Sequence, residues 1–94
     1  MRRAAKVDDN QGEIVAALRA AGCSVTSLAS VGRGCPDLVV GRAGVTYLLE
    51  VKDGKKPLSK RRLTPDEKAW HESWRGQVAV VESVQEALTA VGMM

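Results

Sequence analysis

The stretch from Asp37 to Lys52, DLVVGRAGVTYLLEVK, restricts the fold more than any other part of the chain. Two runs rich in Val, Leu and Tyr are separated only by Arg42-Ala43-Gly44. Such residues favour an extended backbone. A connection this short between two strands forces them antiparallel, so Asp37–Gly41 and Val45–Lys52 are expected to form a hairpin. Just upstream, Gly32-Arg33-Gly34-Cys35-Pro36 interrupts regular structure and reads as a turn. Cys23 to Val31, with its Val, Ser and Thr, reads as a further strand.

Helices are expected on either side of this β-rich centre. Asp9 or Asn10 offers an N-cap, and apolar residues follow at helical spacing (Ile14, Val15, Leu18, Ala21) until Gly22. Glu13 falls in the first turn, at the positive end of the helix dipole. Thr64-Pro65-Asp66-Glu67 is a second helix start: threonine caps, proline takes the first position, and Glu67 closes a capping box. That helix is expected to run to about Arg75, with Trp70 and Trp74 one turn apart, and to end at Gly76. Gln77 to Val81 reads as a short strand. Ser83 and Glu86 form another capping box before a last helix ending near Gly92. The order αβββαβα predicts an α/β domain, a mixed sheet flanked by helices, with neither repeat nor linker. The first eight residues read as a basic, loosely held arm.

The 94 residues allow one domain. A chain this short buries only roughly 60–65% of its unfolded surface. It contains no Phe, so Leu, Val, Ala and two Trp must make the core. A core that thin would gain from a partner subunit. The hydrophobic content of 45% argues against general disorder. The N-terminus MRRAAKVDD has no apolar core of a signal peptide, and no run approaches the ~20 apolar residues of a membrane span. An intracellular protein with reduced thiols is therefore expected, with Cys23 and Cys35 as packing residues. Two Cys and one His are too few for a self-contained zinc site.

The formal charge is +3, but its distribution says more than its size. Lys52 to Arg62 reads KDGKKPLSKRR, six cations against one anion. Such a run is either a solvated loop or a surface for a polyanion. At its head stands Glu50-Val51-Lys52. Alternation along a strand puts Glu50 and Lys52 on one face and turns Val51 to the apolar side. If Asp37 lies at the same end of the hairpin, its carboxylate converges on that of Glu50; a slip of one residue would turn either away. Like charges held close repel, and a hard divalent cation would relieve that repulsion. Mg²⁺ held by Asp37 and Glu50 would polarise a phosphodiester and lower the pKa of a bound water, while Lys52 would stabilise the charge that develops. The backbone carbonyl of Val51 is a further candidate ligand, and Glu13 a more distant partner of the ion. The bland reading of E-x-K on a strand is an exposed ion pair. It does not account for G-x-G-x-P-D, a hairpin, E-V-K and a basic loop in succession.

This pattern resembles the PD-(D/E)xK nuclease superfamily and, more closely, its virus-type replication-repair nuclease (VRR-Nuc) domain. The matching pieces are the Glu13 helix, Gly34-Cys35-Pro36-Asp37-Leu38, Leu49-Glu50-Val51-Lys52, and Leu63-Thr64-Pro65 opening a helix that leads to Trp74 and Gly76. They span about Asn10 to Val91. The resemblance implies a restriction-endonuclease-like core and a Mg²⁺- or Mn²⁺-dependent phosphodiesterase, with Asp37 and Glu50 as ligands and Lys52 as the catalytic cation. It further implies a homodimer acting on branched DNA such as four-way junctions. One position departs: members often carry Gln where this chain has Glu67.

Arg33, Lys55, Lys56, Lys60, Arg61 and Arg62 are the expected contacts to the DNA backbone, which give affinity and salt dependence rather than sequence choice. Arg33 reads equally well as a turn arginine in solvent. His71 reads as a partly exposed surface histidine before it reads as a proton carrier. Trp70 and Trp74 read as core or dimer-interface anchors, and Tyr47 as packing. The sequence thus points to a metal-dependent, structure-selective DNA endonuclease. The rival is a non-catalytic nucleic-acid-binding module on the same fold, and an RNA-cleaving relative shares every motif.

Overall fold

A computed structural model of the chain describes residues 7–93. Most of the expected N-terminal arm, residues 1–6, lies outside the described residues. The elements are α1 (Gln11–Ala20), β1 (Ser24–Ser27), β2 (Leu38–Arg42), β3 (Val45–Val51), a 3-10 turn at Leu58–Lys60, α2 (Pro65–Ser73), β4 (Ala79–Val81) and α3 (Val84–Ala90). The order is the expected αβββαβα, with one addition inside the basic loop.

β2 and β3 pair antiparallel with Leu38 opposite Leu49 and Arg42 opposite Val45. The two residues between Arg42 and Val45, Ala43 and Gly44, have φ of 51° and 79°. Positive φ at both central positions is what a tight hairpin turn compatible with strand twist demands. β1 joins β2 antiparallel, and β4 joins β3 parallel, giving a mixed sheet in the order β1-β2-β3-β4. The parallel pairing follows from the connection: the chain crosses over through α2 before entering β4. β1 ends earlier than expected. After Ser27 the Leu28 N–H still bonds the Asp37 carbonyl at 2.7 Å, but Val31 turns back onto Leu28.

One apolar cluster lies between the sheet and the helices α1 and α3. Ile14 and Leu18 come from α1, Leu38 and Val40 from β2, Leu49 and Val51 from β3, Val81 from β4, and Ala87 and Val91 from around α3. Cys23 packs there as expected, and Tyr47 lies against its edge. Since Leu49 and Val51 face this cluster, alternation sends Glu50 and Lys52 to the other side of β3. There α2 lies over them.

The two tryptophans do not share in the core. Trp70 and Trp74 stack on each other with ring centroids 4.6 Å apart and planes at 20°, and Trp74 is 43% exposed. The reason is the face α2 presents: its inner side meets charged residues, so its large apolar groups lie at the periphery. They still fix the end of the helix. Trp74 Nε1 donates to the Gln77 carbonyl at 3.0 Å, and the Gln77 side chain accepts from Leu48 N–H at 2.8 Å.

The caps follow the sequence in part. Thr64 and Glu67 form the expected reciprocal box. Ser83 accepts from Glu86 N–H, but Glu86 reaches back to Glu82 N–H rather than closing the box. Asn10 stands at the N-cap position of α1 without capping it. Its amide instead donates to the carbonyls of Lys52 (3.1 Å) and Glu82 (3.3 Å), tying α1 to the ends of β3 and β4. Arg42 donates to the carbonyls of Val91 and Gly92, supplying the cation at the C-terminus of α3.

Candidate active site

Asp37 immediately precedes β2. Its N–H donates to the Leu49 carbonyl at 3.1 Å, which extends the ladder by one residue and sets Asp37 beside Glu50. Its Oδ2 accepts from Val51 N–H at 2.7 Å, so the carboxylate sits across the end of β3. The register that sequence left open is thus the converging one. The Asp37 carboxyl lies close enough to that of Glu50 to raise it. Strand geometry sends the N–H and C=O of one residue to the same side, so the Val51 carbonyl leaves β3 on the Asp37 side.

Gly34 fits the preceding turn against the start of α2. It has φ of 81°, and a Cβ there would overlap the Asp66 carbonyl. Only glycine meets both demands, the left-handed backbone and the close approach. The turn therefore brings Pro36-Asp37 and the N-terminus of α2 together. From α2, Glu67 Oε1 accepts from Lys52 Nζ at 2.7 Å and from Thr64 N–H at 2.8 Å. One carboxylate caps the helix and holds the lysine. Lys52 Nζ also lies 4.0 Å from Glu50 Oε2.

The electrostatics follow from burial. Glu50 is 1% exposed, and desolvation, the Asp37 carboxyl and the charge of Glu67 together push its carboxyl up to about 10. For Lys52, burial pulls the ammonium down, but the hydrogen bond and charge of Glu67 and the charge of Glu50 outweigh it and raise its pKa. Burial acts upward on Glu67 as well, yet the bonds from Lys52 and Thr64 bring its carboxyl below its ordinary value. Lys52 and Glu67 are a settled ion pair; Glu50 is left over. Its Oε1 is buried with no hydrogen-bond partner.

Asp37, Glu50, Lys52 and Glu67 line one cleft of about 450 Å³, together with Asp8, Lys56, Lys60, Arg62 and Thr64. Other expected site residues lie elsewhere. Glu13 and Lys55 line a neighbouring cleft with Asn10 and Asp53. Arg33 is exposed on its turn with φ of 58° and does not line the cleft. Arg61 is engaged inside the protein, donating to the Lys56 carbonyl at 2.8 Å and to Glu82 at 3.0 Å. Lys56 faces Asp8 and Asp9 at 3.8 and 3.7 Å. Lys60 and Arg62 are exposed at the rim. Cys35 lies near the carboxylates, and its thiol is raised by burial and by the charges of Glu50 and Asp37.

Two residues near the carboxylates escaped the sequence reading. Glu67 was legible as a cap and as the position where relatives often carry Gln, but not as the partner of Lys52. His71 is not the surface histidine expected: its side chain is 14% exposed, with Nε2 3.6 Å from Glu50 Oε1. The available signal was spacing, since residues four apart on a helix share a face.

Among the described residues, no three His, Cys, Asp or Glu side chains are grouped so as to hold a metal ion. A site here would rest on two carboxylates and a backbone carbonyl. That donor set is all hard oxygen, and the buried Glu50 carboxyl set beside the Asp37 carboxyl fits a Mg²⁺-type ion taking its remaining ligands from water and phosphate.

No family model matches the chain, and no curated protein matches it. A solved structure described as a VRR_NUC domain is similar, with a TM-score of 0.64 and 28% identity over 89% of this chain and 96% of that one. The two chains therefore share a fold over most of their lengths.

Proposed function

Taking the chain as a VRR-Nuc domain with a restriction-endonuclease-like fold, we propose that it is a Mg²⁺- or Mn²⁺-dependent endonuclease hydrolysing phosphodiester bonds in DNA. The observation that carries the reading is the convergence of Asp37, Glu50 and Lys52 in one cleft. Asp37, Glu50 and the Val51 carbonyl would hold the ion, which supplies Lewis acidity toward the phosphodiester and acidifies water.

The chain's own residues do the rest. Lys52, kept charged and aimed by Glu67, meets the negative charge that builds on the phosphoryl oxygens in the transition state. A preorganised cation of that kind contributes electrostatic stabilisation without reorganising during the reaction. Lys60 and Arg62 at the rim, with Lys56, contact the DNA backbone on either side of the cut. The selectivity we assign is for branched DNA such as four-way junctions, cut by a homodimer that presents two sites to a two-fold substrate. The setting is the cytoplasm of a bacterial or phage-infected cell. No helix among the described residues is long and apolar enough to cross a membrane.

The test is cleavage of labelled duplex, single strand, flap and four-way junction, each with a matched RNA, in Mg²⁺, Mn²⁺ or EDTA. Wild type is run beside Lys52→Ala and Asp37→Ala. Metal-dependent cuts that both variants lose support the reading. Silence with undiminished DNA binding would favour a non-catalytic binding module on the same fold.

A further inference from the structure

Glu50 Oε1 and His71 Nε2 are both buried, both lack a hydrogen-bond partner, and face each other at 3.6 Å. Buried polar atoms are rarely left unpaired. Two that face one another across a gap only a few tenths of an ångström beyond bonding distance are complementary groups poised to pair. The placement is not incidental to the helix. Glu67 and His71, four residues apart on α2, lie over Glu50 and Lys52, two residues apart on β3. One rung of this match is closed, Lys52 to Glu67 at 2.7 Å, and the other is open. Trp70 packs edge-on against the imidazole, with centroids 5.8 Å apart and planes at 70°, and is itself stacked on Trp74. These rings restrict where the imidazole can go.

We propose that His71 is a positioning residue for Glu50. Its Nε2–H donates to Oε1 and fixes the side chain's rotation, so that Oε2, on the Lys52 side, is presented to a divalent cation shared with Asp37. The inference rests on the metal-dependent reading above. A carboxylate rotor with one oxygen pinned loses less freedom on taking up an ion, and partners of this kind commonly change metal affinity by about 10–100-fold. The alternative is that His71 only fills space beneath Trp70.

The test is Mn²⁺ binding to the intact chain, followed by the loss of the free-ion signal in electron paramagnetic resonance, for wild type, His71→Ala, His71→Gln and Asp37→Ala. Melting curves in EDTA report the fold of each. The expected result is a Kd weakened by about 10-fold or more in His71→Ala, with most of the affinity recovered in His71→Gln, whose amide still offers an N–H. A space-filling role would lower the melting temperature of both variants and leave Mn²⁺ affinity unchanged, and that result overturns the proposal. If wild type binds Mn²⁺, Asp37→Ala abolishes binding and His71→Ala does not alter it, only the role of His71 is lost. If wild type takes up no Mn²⁺, the metal-dependent reading falls with it.

Discussion

Replacing Glu50 by glutamine should stabilise the metal-free protein, by an amount that grows with pH. In the fold this carboxyl is buried against Asp37 and pushed up to about 10 from an ordinary 4.5, with one oxygen unpartnered. The native state therefore holds a proton that the unfolded chain releases above 4.5. Stability from this group is complete below the unfolded value and falls as pH rises toward the folded one. At pH 7 the protein has climbed from 4.5 through part of that window. At about 1.36 kcal/mol per unit, the penalty approaches 3 kcal/mol. Glutamine has nearly the same shape, keeps a donor toward Asp37 and carries no such penalty. Thermal melts in EDTA from pH 4.5 to 8 should show the two proteins nearly equal at the acid end. Glu50→Gln should then pull ahead by about 2–3 kcal/mol at pH 7, or on the order of 10 °C for a domain this small. Mn²⁺ should close the gap by stabilising the ionised wild-type carboxylate. A difference that does not change with pH, or a wild type more stable throughout, would refute the argument.

Gly34→Ala should destabilise by about 2 kcal/mol or more, read as a lower urea midpoint, since φ of 81° and the Asp66 carbonyl both exclude a Cβ. Ala43→Asn should stabilise by about 0.5–1 kcal/mol without changing cleavage, because φ of 51° suits asparagine better than alanine. Glu67→Gln, which keeps an oxygen for both Lys52 and Thr64 N–H, should leave cleavage within about 10-fold of wild type. Glu67→Ala should lose about 1 kcal/mol of stability with the cap, and up to about 100-fold in rate as Lys52 loses its aim.

What could be read in advance is what is decided locally. The hairpin follows from turn residues and strand composition, and the 3.6-residue spacing of Ile14 and Leu18 marks the face of α1 that reaches the core. Asp37, Glu50 and Lys52 were legible because strand alternation and a short turn leave few ways to arrange them. The failures share one cause, which is that each depends on where α2 and α1 dock. Asn10 was read as a cap, but its amide bridges two strand ends. Of the two roles open to Trp70 and Trp74, core or interface anchor, the core one fails, because α2 meets the sheet over its charged end and leaves them to stack at the periphery. His71 looked superficial because nothing in its neighbours signals that Glu50 lies opposite. Arg61, one of a run of cations expected to meet DNA, is engaged inside the protein and closes the loop onto Glu82.

The distribution of buried polar groups is itself an argument for function. Among the described residues, the buried polar side chains are Asn10, Gln11, Glu50, Lys52 and Asp53. They crowd the end of β3 and the start of α1, while the rest of the interior is aliphatic. A domain of this size, without phenylalanine and with α2 contributing no buried residue, has little stability to spare. A fold selected for stability alone would place leucine where Glu50 stands, since exchanging a buried ionised network for apolar side chains is often stabilising. Here an unpaired carboxylate oxygen and an unpaired imidazole nitrogen are retained side by side. Local violations of this kind concentrate where structure serves a ligand. They lie in and beside the cleft that Asp37, Glu50 and Lys52 share with the rim cations Lys60 and Arg62.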